Sequence, residues 1–366
     1  MQLPDYVRIG QVQKGLAELL QHSFSAIAVL VDENTYQYCY PIVAPILPQG
    51  HQIIAIPSGE QHKNLQTCQQ IWQALTNMQA DRNALLINLG GGVISDMGGF
   101  CAATYKRGIR FVQIPTTLLA QVDASIGGKL GIDFQGFKNH IGVFQLPFCV
   151  LIDTSFLATL PWRQLRSGFA ELLKHSLIAD WQAWYELTRA HHLQDVDWQK
   201  VVHHSIAIKE RIVSQDPHEK GLRKILNFGH TLGHAIETYF LENRPAEQGL
   251  LHGEAIAAGM IAEAWLAVRK TGLPQQEFEE IKWHLLQLYG KIAISQHEIA
   301  SIAQLALQDK KNQNGIIQLS LIEAIGACKY NVPATVKELK EALLAYCQMP
   351  AEIHDNNGTS IDQVGM

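Results

Sequence analysis

Several things are scarce in this chain of 366 residues, and each scarcity excludes a class of protein. Its six cysteines, Cys39, Cys68, Cys101, Cys149, Cys328 and Cys347, form no Cys-x-x-Cys pair and no dense framework. They read as reduced thiols, mostly small core residues, rather than a disulfide scaffold. No apolar run reaches the roughly eighteen residues that a membrane span needs, so no membrane partner is expected. Cations are not in excess: the net charge is −5, which argues against a nucleic-acid partner, because binding a phosphate backbone needs clustered positive charge. The first residues, Met1–Asp5, lack the basic-then-apolar layout of a secretory leader, and a cytoplasmic location is expected. There is no internal repeat. What remains, 47% apolar and 17% charged residues over this length, suits a globular chain with two full cores.

The first half alternates short apolar runs with helical periodicity. Runs at 26–31, 53–56, 84–89, 111–114 and 149–152 have the continuous hydrophobicity of strands buried on both faces, and Leu65 to Met78 has a helical pattern. This predicts a Rossmann-like α/β nucleotide-binding domain over 1–155, with ligands at the carboxyl ends of its strands. From about Phe156 strands nearly vanish, and helical patterns dominate 163–345, with Pro161, Pro217, Pro245 and Pro274 at turns or helix starts. A second, all-α domain is expected over 156–348, followed by a disordered tail over 349–366.

Strand 84–89 delivers into Gly90-Gly91-Gly92-Val93-Ile94-Ser95-Asp96, a glycine turn that opens a helix. Without side chains in the way, backbone N–H groups can approach a diphosphate, and the helix N-terminus favours its charge. This is not the Gly-x-Gly-x-x-Gly fingerprint. After the next strand come Pro115-Thr116-Thr117 through Asp123, then Gly127-Gly128-Lys129, which is no Walker A because Leu130 stands where Ser or Thr is required. The Thr hydroxyls and Asp suit a ribose or nicotinamide amide, and Lys129 suits an anion. Acids at strand ends, in Asp32-Glu33-Asn34 and Ser58-Gly59-Glu60 followed by Lys63, can bind an adenosine ribose. Further cations beside motif residues are Arg107, Lys138, Lys174, Lys209 and Arg223. Converging on one cleft, they would make an anion pocket.

The densest pattern runs from Arg223 through Asn227, His230, His234 and Glu237 to His252-Gly253-Glu254. If this stretch is one helix, Arg223, Asn227, His230 and His234 share a face. Two helical histidines alone are also a common capping or core pair. With Glu171 in Ala170-Glu-Leu-Leu-Lys174 and a third imidazole at His252, the residues supply the Glu and His donors of a catalytic zinc-type site with an open position.

Taken in order, these motifs resemble the 3-dehydroquinate synthases of the sugar-phosphate cyclase family over roughly residues 25–330. The likeness includes the run Gly90–Phe100, Tyr105-Lys-Arg107-Gly108, Pro115–Asp123, Gly127-Gly-Lys129, Lys138-Asn139, Ala170–Lys174, Asn227–Glu237 and His252-Gly-Glu254. The resemblance implies that Glu171, His230 and His252 hold one divalent ion, zinc or cobalt, while His234 belongs to the substrate. It implies that Arg223, Asn227 and Lys129 receive a substrate carboxylate. Lys138, Asn139 and Lys209 would surround the reacting hydroxyls and phosphate, with Lys174 beside them and Asp123 among the substrate-binding residues. One of Lys310 and Lys311 would complete the phosphate pocket, and Arg107 would reach it from a neighbouring subunit, making a homodimer. NAD would lie across Asp32, Asn34, Ser58, Gly59, Glu60, Lys63, Gly91, Gly92, Val93, Asp96, Thr116, Thr117, Phe156 and Thr159, beside Lys129 and Lys138.

The reaction so implied turns DAHP, an anionic seven-carbon sugar phosphate, into 3-dehydroquinate and phosphate, the second step of the shikimate pathway. It is a lyase reaction in which transient oxidation acidifies a C–H, phosphate leaves, the hydride returns, the ring opens and an aldol closes the carbocycle. Departures from the family pattern lie in the loop 133–137, in Ser95 for the usual Gly, in His175 for a frequent Tyr, and in a longer 237–252 loop. The rivals are a valiolone- or inosose-type cyclase, a metal- and NAD-dependent polyol dehydrogenase, and a non-catalytic NAD-binding protein. The first has little use for Arg223, Asn227 and His234 together, the second would accumulate reduced nicotinamide, and the third would have lost ligands.

Overall fold

The computed structural model describes residues 3–135, 137–189, 193, 196–245, 248–308 and 316–350. Two compact units result: Met1–Leu172 with His192–Glu219, and Leu173–His191 with Lys220–Met366. The second thus begins inside a helix, later than the domain start expected at 156, and residues 192–219 return to the first.

In the first unit, strands β1 (Val7–Ile9), β2 (Ile27–Asp32), β3 (Gln52–Ile56), β4 (Leu85–Gly90) and β5 (Arg110–Pro115) precede a hairpin, β6 (Lys129–Phe134) and β7 (Phe137–Phe144), and then β8 (Cys149–Ile152). Six of them form a parallel sheet in the order β1-β8-β5-β4-β2-β3, and β6 pairs antiparallel with β7. The five apolar runs read from sequence are all strands of the sheet. Three-residue β1 is too short to show a periodic pattern, and β6 and β7 hide among glycine and charged residues.

Period-two alternation explains why the runs are apolar throughout. Val29, Val31, Leu85, Ile87 and Leu89 face a core with Val12 and Leu16 of α1 (Val12–Leu19), while Ala28, Leu30 and Leu86 face another with residues of later helices. Short α2 (Glu33–Tyr38) and α3 (Tyr40–Val43) follow β2. Helices α4 (Leu65–Asn77) and α5 (Gly92–Thr104) cover the second face through Cys68, Ile71, Leu75, Ile94, Met97 and Cys101. Close contact requires a bare backbone here: a Cβ on Gly98 would lie 2.2 Å from Asn88 Oδ1. From β2 the chain adds β3 on one side and then β4 on the other, so the sheet's switch point lies between β2 and β4. In open parallel sheets, ligands bind at the carboxyl ends of the strands at such a point.

Helix α6 (Trp162–Ala179) crosses from the first unit into the second, where α7 (Trp181–Thr188) follows. Helix α8 (Trp198–Gln215) belongs to the first unit. The remaining helices, α9 (His230–Asn243), α10 (His252–Lys270), α11 (Gln275–Tyr289), α12 (Ile299–Leu305) and α13 (Val336–Gln348), belong to the second. Nearly every residue of α10 from Gly253 to Ala267 is buried, which makes it the central helix of its unit, against α9, α11 and α13. Besides its helices this unit carries an antiparallel pair, β9 (Ile317–Ala324) and β10 (Ala327–Ala334), in a stretch read from sequence as helical. Its apolar residues Ile317, Leu319 and Leu321 alternate at period two, a pattern too short to outweigh the helical surroundings.

No helix among the described residues is long and apolar enough to cross a membrane. All six cysteines are free thiols.

Candidate metal and dinucleotide centre

In the first unit the glycine turn does what its composition requires. Gly91 is the N-cap of α5 and has no side chain to bond the helix's first N–H groups. A Cβ on Gly91 would stand 3.0 Å from Thr117 Cγ2, tighter than ordinary contact, so glycine keeps open the backbone beside Thr116 and Thr117. Thr116 donates its N–H to Gly90 O, tying the end of β5 to the end of β4. An open helix N-terminus at a switch point fits a dinucleotide's diphosphate.

Acidic groups line the same strand ends. Asp32 accepts from Thr35 N at 2.8 Å and caps α2, with Asn34 exposed in that helix's first turn. Glu33 holds Ser58 by its N–H at 2.9 Å and its hydroxyl at 2.7 Å, bonds that lower the Glu33 carboxyl below its ordinary value. Gly59, at φ +110°, makes the turn that presents Glu60.

Lys63 is the centre of a charged cluster and only 4% exposed. Its ammonium donates to Asp96 Oδ2 and to Asn139 Oδ1, both at 2.6 Å, and Glu60 lies 4.0 Å away. Burial alone would depress this lysine, yet Asp96, Glu60 and Asp133 overcome it and raise it above its usual range. Burial also raises Asp96. Lys138 donates to Glu60 at 2.8 Å, and Asp133 accepts from Asn139 N at 2.7 Å, which fixes Asn139 at φ +49°. Lys63, Asp96, Lys138 and Asn139, spread over 77 residues of sequence, therefore form one network.

Two other predicted lysines also carry carboxylates. Lys209, on α8 and 5% exposed, donates to Asp123 O at 2.5 Å and Oδ1 at 2.7 Å. Lys129, on β6, pairs with Glu219, a residue at φ +57°. Asp123 sits in a π-helical turn, Ala120–Ala124, and its carboxylate lies within 4.8 Å of that of Glu171, which is fully buried on α6. Phe156 is packed in the core with α1, so its ring is structural, and Thr159 donates its hydroxyl to Phe156 O. Arg107, at φ +67°, lines a shallow recess with Asp81, Arg82, Asn83 and Lys106, a set that includes no other predicted site residue.

In the second unit the single-helix reading of 223–237 is corrected. Leu222–Asn227 is a 3-10 turn, and Gly229, at φ +77°, breaks the chain before α9 starts at His230. Arg223 and Asn227 therefore lie before the break and the histidines after it; Asn227 donates to Lys224 O at 3.0 Å. Gly229 is forced by packing as well as by φ, since a Cβ there would be 2.4 Å from Met260 Cγ. As it has no capping side chain, the start of α9 is capped from α10: buried Glu263 accepts from Gly229 N at 2.7 Å and from Leu232 N at 2.9 Å.

This packing gathers three imidazoles. His230 and His234 are one turn apart on α9, His252 begins α10, and one ring nitrogen of each lies within 4.8 Å of the others. His230 Nδ1 is 3.1 Å from Phe228 O, and His252 Nδ1 is 3.2 Å from Glu237 Oε2. With Nδ1 so oriented, Nε2 is the nitrogen that each ring could offer to a metal, so His230 and His252 fit a divalent ion. Lys174, with 1% exposure, and His175 lie on the part of α6 belonging to this unit. Lys310, Lys311 and the tail from 351 lie outside the described residues.

The sequence reading missed Glu219, Glu263 and the roles of Glu33 and Asp133. A signal existed for the first: Glu219 stands in Asp216-Pro-His-Glu219-Lys-Gly221, four residues ahead of Arg223. Glu263 has none, being an acid in an apolar helix.

Residues 53–167 match the family model for the 3-dehydroquinate synthase N-terminal domain, and residues 168–312 match that for its C-terminal domain. A 3-dehydroquinate synthase of Parabacteroides distasonis is 41% identical over 331 residues, 88% of this chain and 92% of the relative. One from Halorhodospira halophila is 40% identical over 88% of this chain and 90% of the relative. Among solved structures, the 2-epi-5-epi-valiolone synthase ValA of Streptomyces hygroscopicus, with NAD+ and Zn2+ bound, superposes with a TM-score of 0.79. It is 25% identical, with coverage of 95% of this chain and 98% of that one. A 2-deoxy-scyllo-inosose synthase, 24% identical with a TM-score of 0.75 over 92% of this chain and 95% of its own, shares the fold.

Proposed function

Because the chain belongs to the 3-dehydroquinate synthase family, we propose that it converts DAHP into 3-dehydroquinate and phosphate, as a carbon–oxygen lyase of aromatic biosynthesis in the cytoplasm. The observation that carries this reading beyond family membership is the imidazole cluster of His230, His234 and His252, with Nδ1 of the two assigned ligands already occupied. Glu171, His230 and His252 would hold a zinc or cobalt ion, and NAD would rest on the open N-terminus of α5 among Gly91, Gly92, Val93, Thr116 and Thr117. When bound, the metal supplies Lewis acidity toward the hydroxyl being oxidised, and NAD supplies a hydride acceptor that gives its hydride back.

The side chains then have separable tasks. Arg223, Asn227 and Lys129 receive the substrate carboxylate, with His234 beside them. Lys138, Asn139, Lys174, Lys209, one of Lys310 and Lys311, and Arg107 from a second subunit of a homodimer surround the phosphate and hydroxyls. Cations around the phosphate would stabilise the charge that develops as it departs. Lys129, Lys138 and Lys209 bond protein carboxylates. An anionic substrate would compete with those groups.

The valiolone- and inosose-type reading rests on the likeness to ValA, but the family models and the identity near 40% to 3-dehydroquinate synthases favour DAHP. The test is to supply the chain with NAD and zinc, offer either DAHP or a heptulose phosphate lacking the carboxylate, and identify the carbocycle by mass. Formation of 3-dehydroquinate from DAHP alone supports the proposal. A carbocycle from the carboxylate-free sugar, with DAHP untouched, refutes it.

A further inference from the structure

The two imidazoles assigned to the metal are oriented by unequal partners. His230 Nδ1 lies 3.1 Å from a neutral backbone carbonyl, that of Phe228, whereas His252 Nδ1 lies 3.2 Å from the carboxylate of Glu237. Glu237 stands seven residues after His230 and three after His234, so all three side chains leave α9 on one face. The carboxylate is largely sheltered, with 11% of its side chain exposed, against 23% for His252. An ionised carboxylate can only accept a hydrogen bond, so a neutral His252 ring beside it carries its proton on Nδ1 and its lone pair on Nε2. A carboxylate acceptor also makes the opposite nitrogen a stronger donor than a carbonyl acceptor does.

We propose that Glu237 is a positioning residue for the metal centre: it fixes the tautomer and ring angle of His252 from the helix that itself carries His230. The proposal rests on the assignment of His230 and His252 as ligands. Helix α9 thereby acts twice, once through a ligand of its own and once by aiming the ligand at the start of α10. The bond thus links α9 directly to the first residue of α10.

The test uses the full chain and Co2+ as probe. Co2+ affinity is measured by competition with a chelator, the visible spectrum of the Co2+-loaded chain is recorded, and the thermal midpoint is measured without metal. Glu237→Ala is expected to weaken Co2+ binding about 10–100-fold and to alter the visible bands, with little change in the metal-free midpoint. Glu237→Gln keeps an acceptor oxygen without the charge and is expected to fall between parent and Glu237→Ala; it decides the matter should the alanine variant misfold. Parent-like affinity and spectrum in both variants would overturn the proposal, as would a loss confined to the metal-free midpoint. His252→Ala separates this from the assignment beneath it: if that variant takes up Co2+ like the parent, the ligand assignment fails. If His252→Ala loses the metal while Glu237→Ala keeps it, only the positioning role fails.

Discussion

Gly259→Ala is the substitution whose consequence can be worked most directly from the geometry. A Cβ added there would lie 2.0 Å from Gly229 O, 2.6 Å from Gly233 N and 2.9 Å from Gly233 Cα. All three are backbone atoms, so no side chain can swing aside, and relief requires α9 and α10 to move apart by roughly 1 Å, given carbon contacts of about 3.5 Å. Alanine is favoured over glycine in a helix by about 1 kcal/mol, but overpacking a close-packed contact costs about 1–3 kcal/mol, more when backbone must shift. A net loss of about 1–2 kcal/mol is expected, read as a fall of a few degrees in the thermal midpoint. The larger effect falls on function. His230 and His234 start α9 and His252 starts α10, so moving the helices apart widens the imidazole cluster, and Zn2+ uptake measured by elemental analysis after dialysis should drop. An alanine variant with the parent's midpoint and full zinc content would refute the argument that glycine sets this spacing.

Arg223→Ala should lower kcat/KM for DAHP by a few kcal/mol of lost charge-assisted recognition; an unchanged value would reject the carboxylate role. Asp96→Asn leaves the Lys63 ammonium, bonded to it at 2.6 Å and 4% exposed, short of a counter-charge. It should cost about 3 kcal/mol in urea unfolding and weaken NAD binding by calorimetry, and parent-like values in both would exclude the network as a site element. His284 gives a pH signature: packed edge-on against Trp184 and Trp283, it is depressed by burial from 6.5 to about 4. The unfolded chain then binds more protons between those values, so this contribution is whole above pH 6.5 and is lost as pH falls through about 4. His284→Phe should flatten the fall of the urea midpoint between pH 6.5 and 4, by at most about 3 kcal/mol, and an unaltered slope would contradict the assignment.

The nucleotide half was legible because its signals are local. Buried parallel strands write continuous apolar runs, and Gly90–Gly92 follows one of them directly, so the strand and the glycine turn that opens the next helix could be read together. The network at Lys63 was not legible, because it depends on the hairpin β6–β7 returning Lys138 and Asn139 to Asp96 and Glu60. In the helical half, His230 and His234 at i and i+4 announced a shared face, and His252 was found by residue type. The break at Gly229 escaped notice because Arg223 and Asn227 continue the same spacing backward. What shows that this glycine ends one element and opens another is Met260 behind it and Glu263 capping from α10, and both are facts of tertiary packing.

The central claim is that this chain oxidises its substrate only in passing. Its most direct test follows phosphate release and nicotinamide absorbance together in one cuvette holding the chain, DAHP, NAD and zinc. Phosphate should accumulate through many turnovers while no lasting reduced nicotinamide appears; reduced nicotinamide rising in step with substrate loss, without phosphate, would contradict the account.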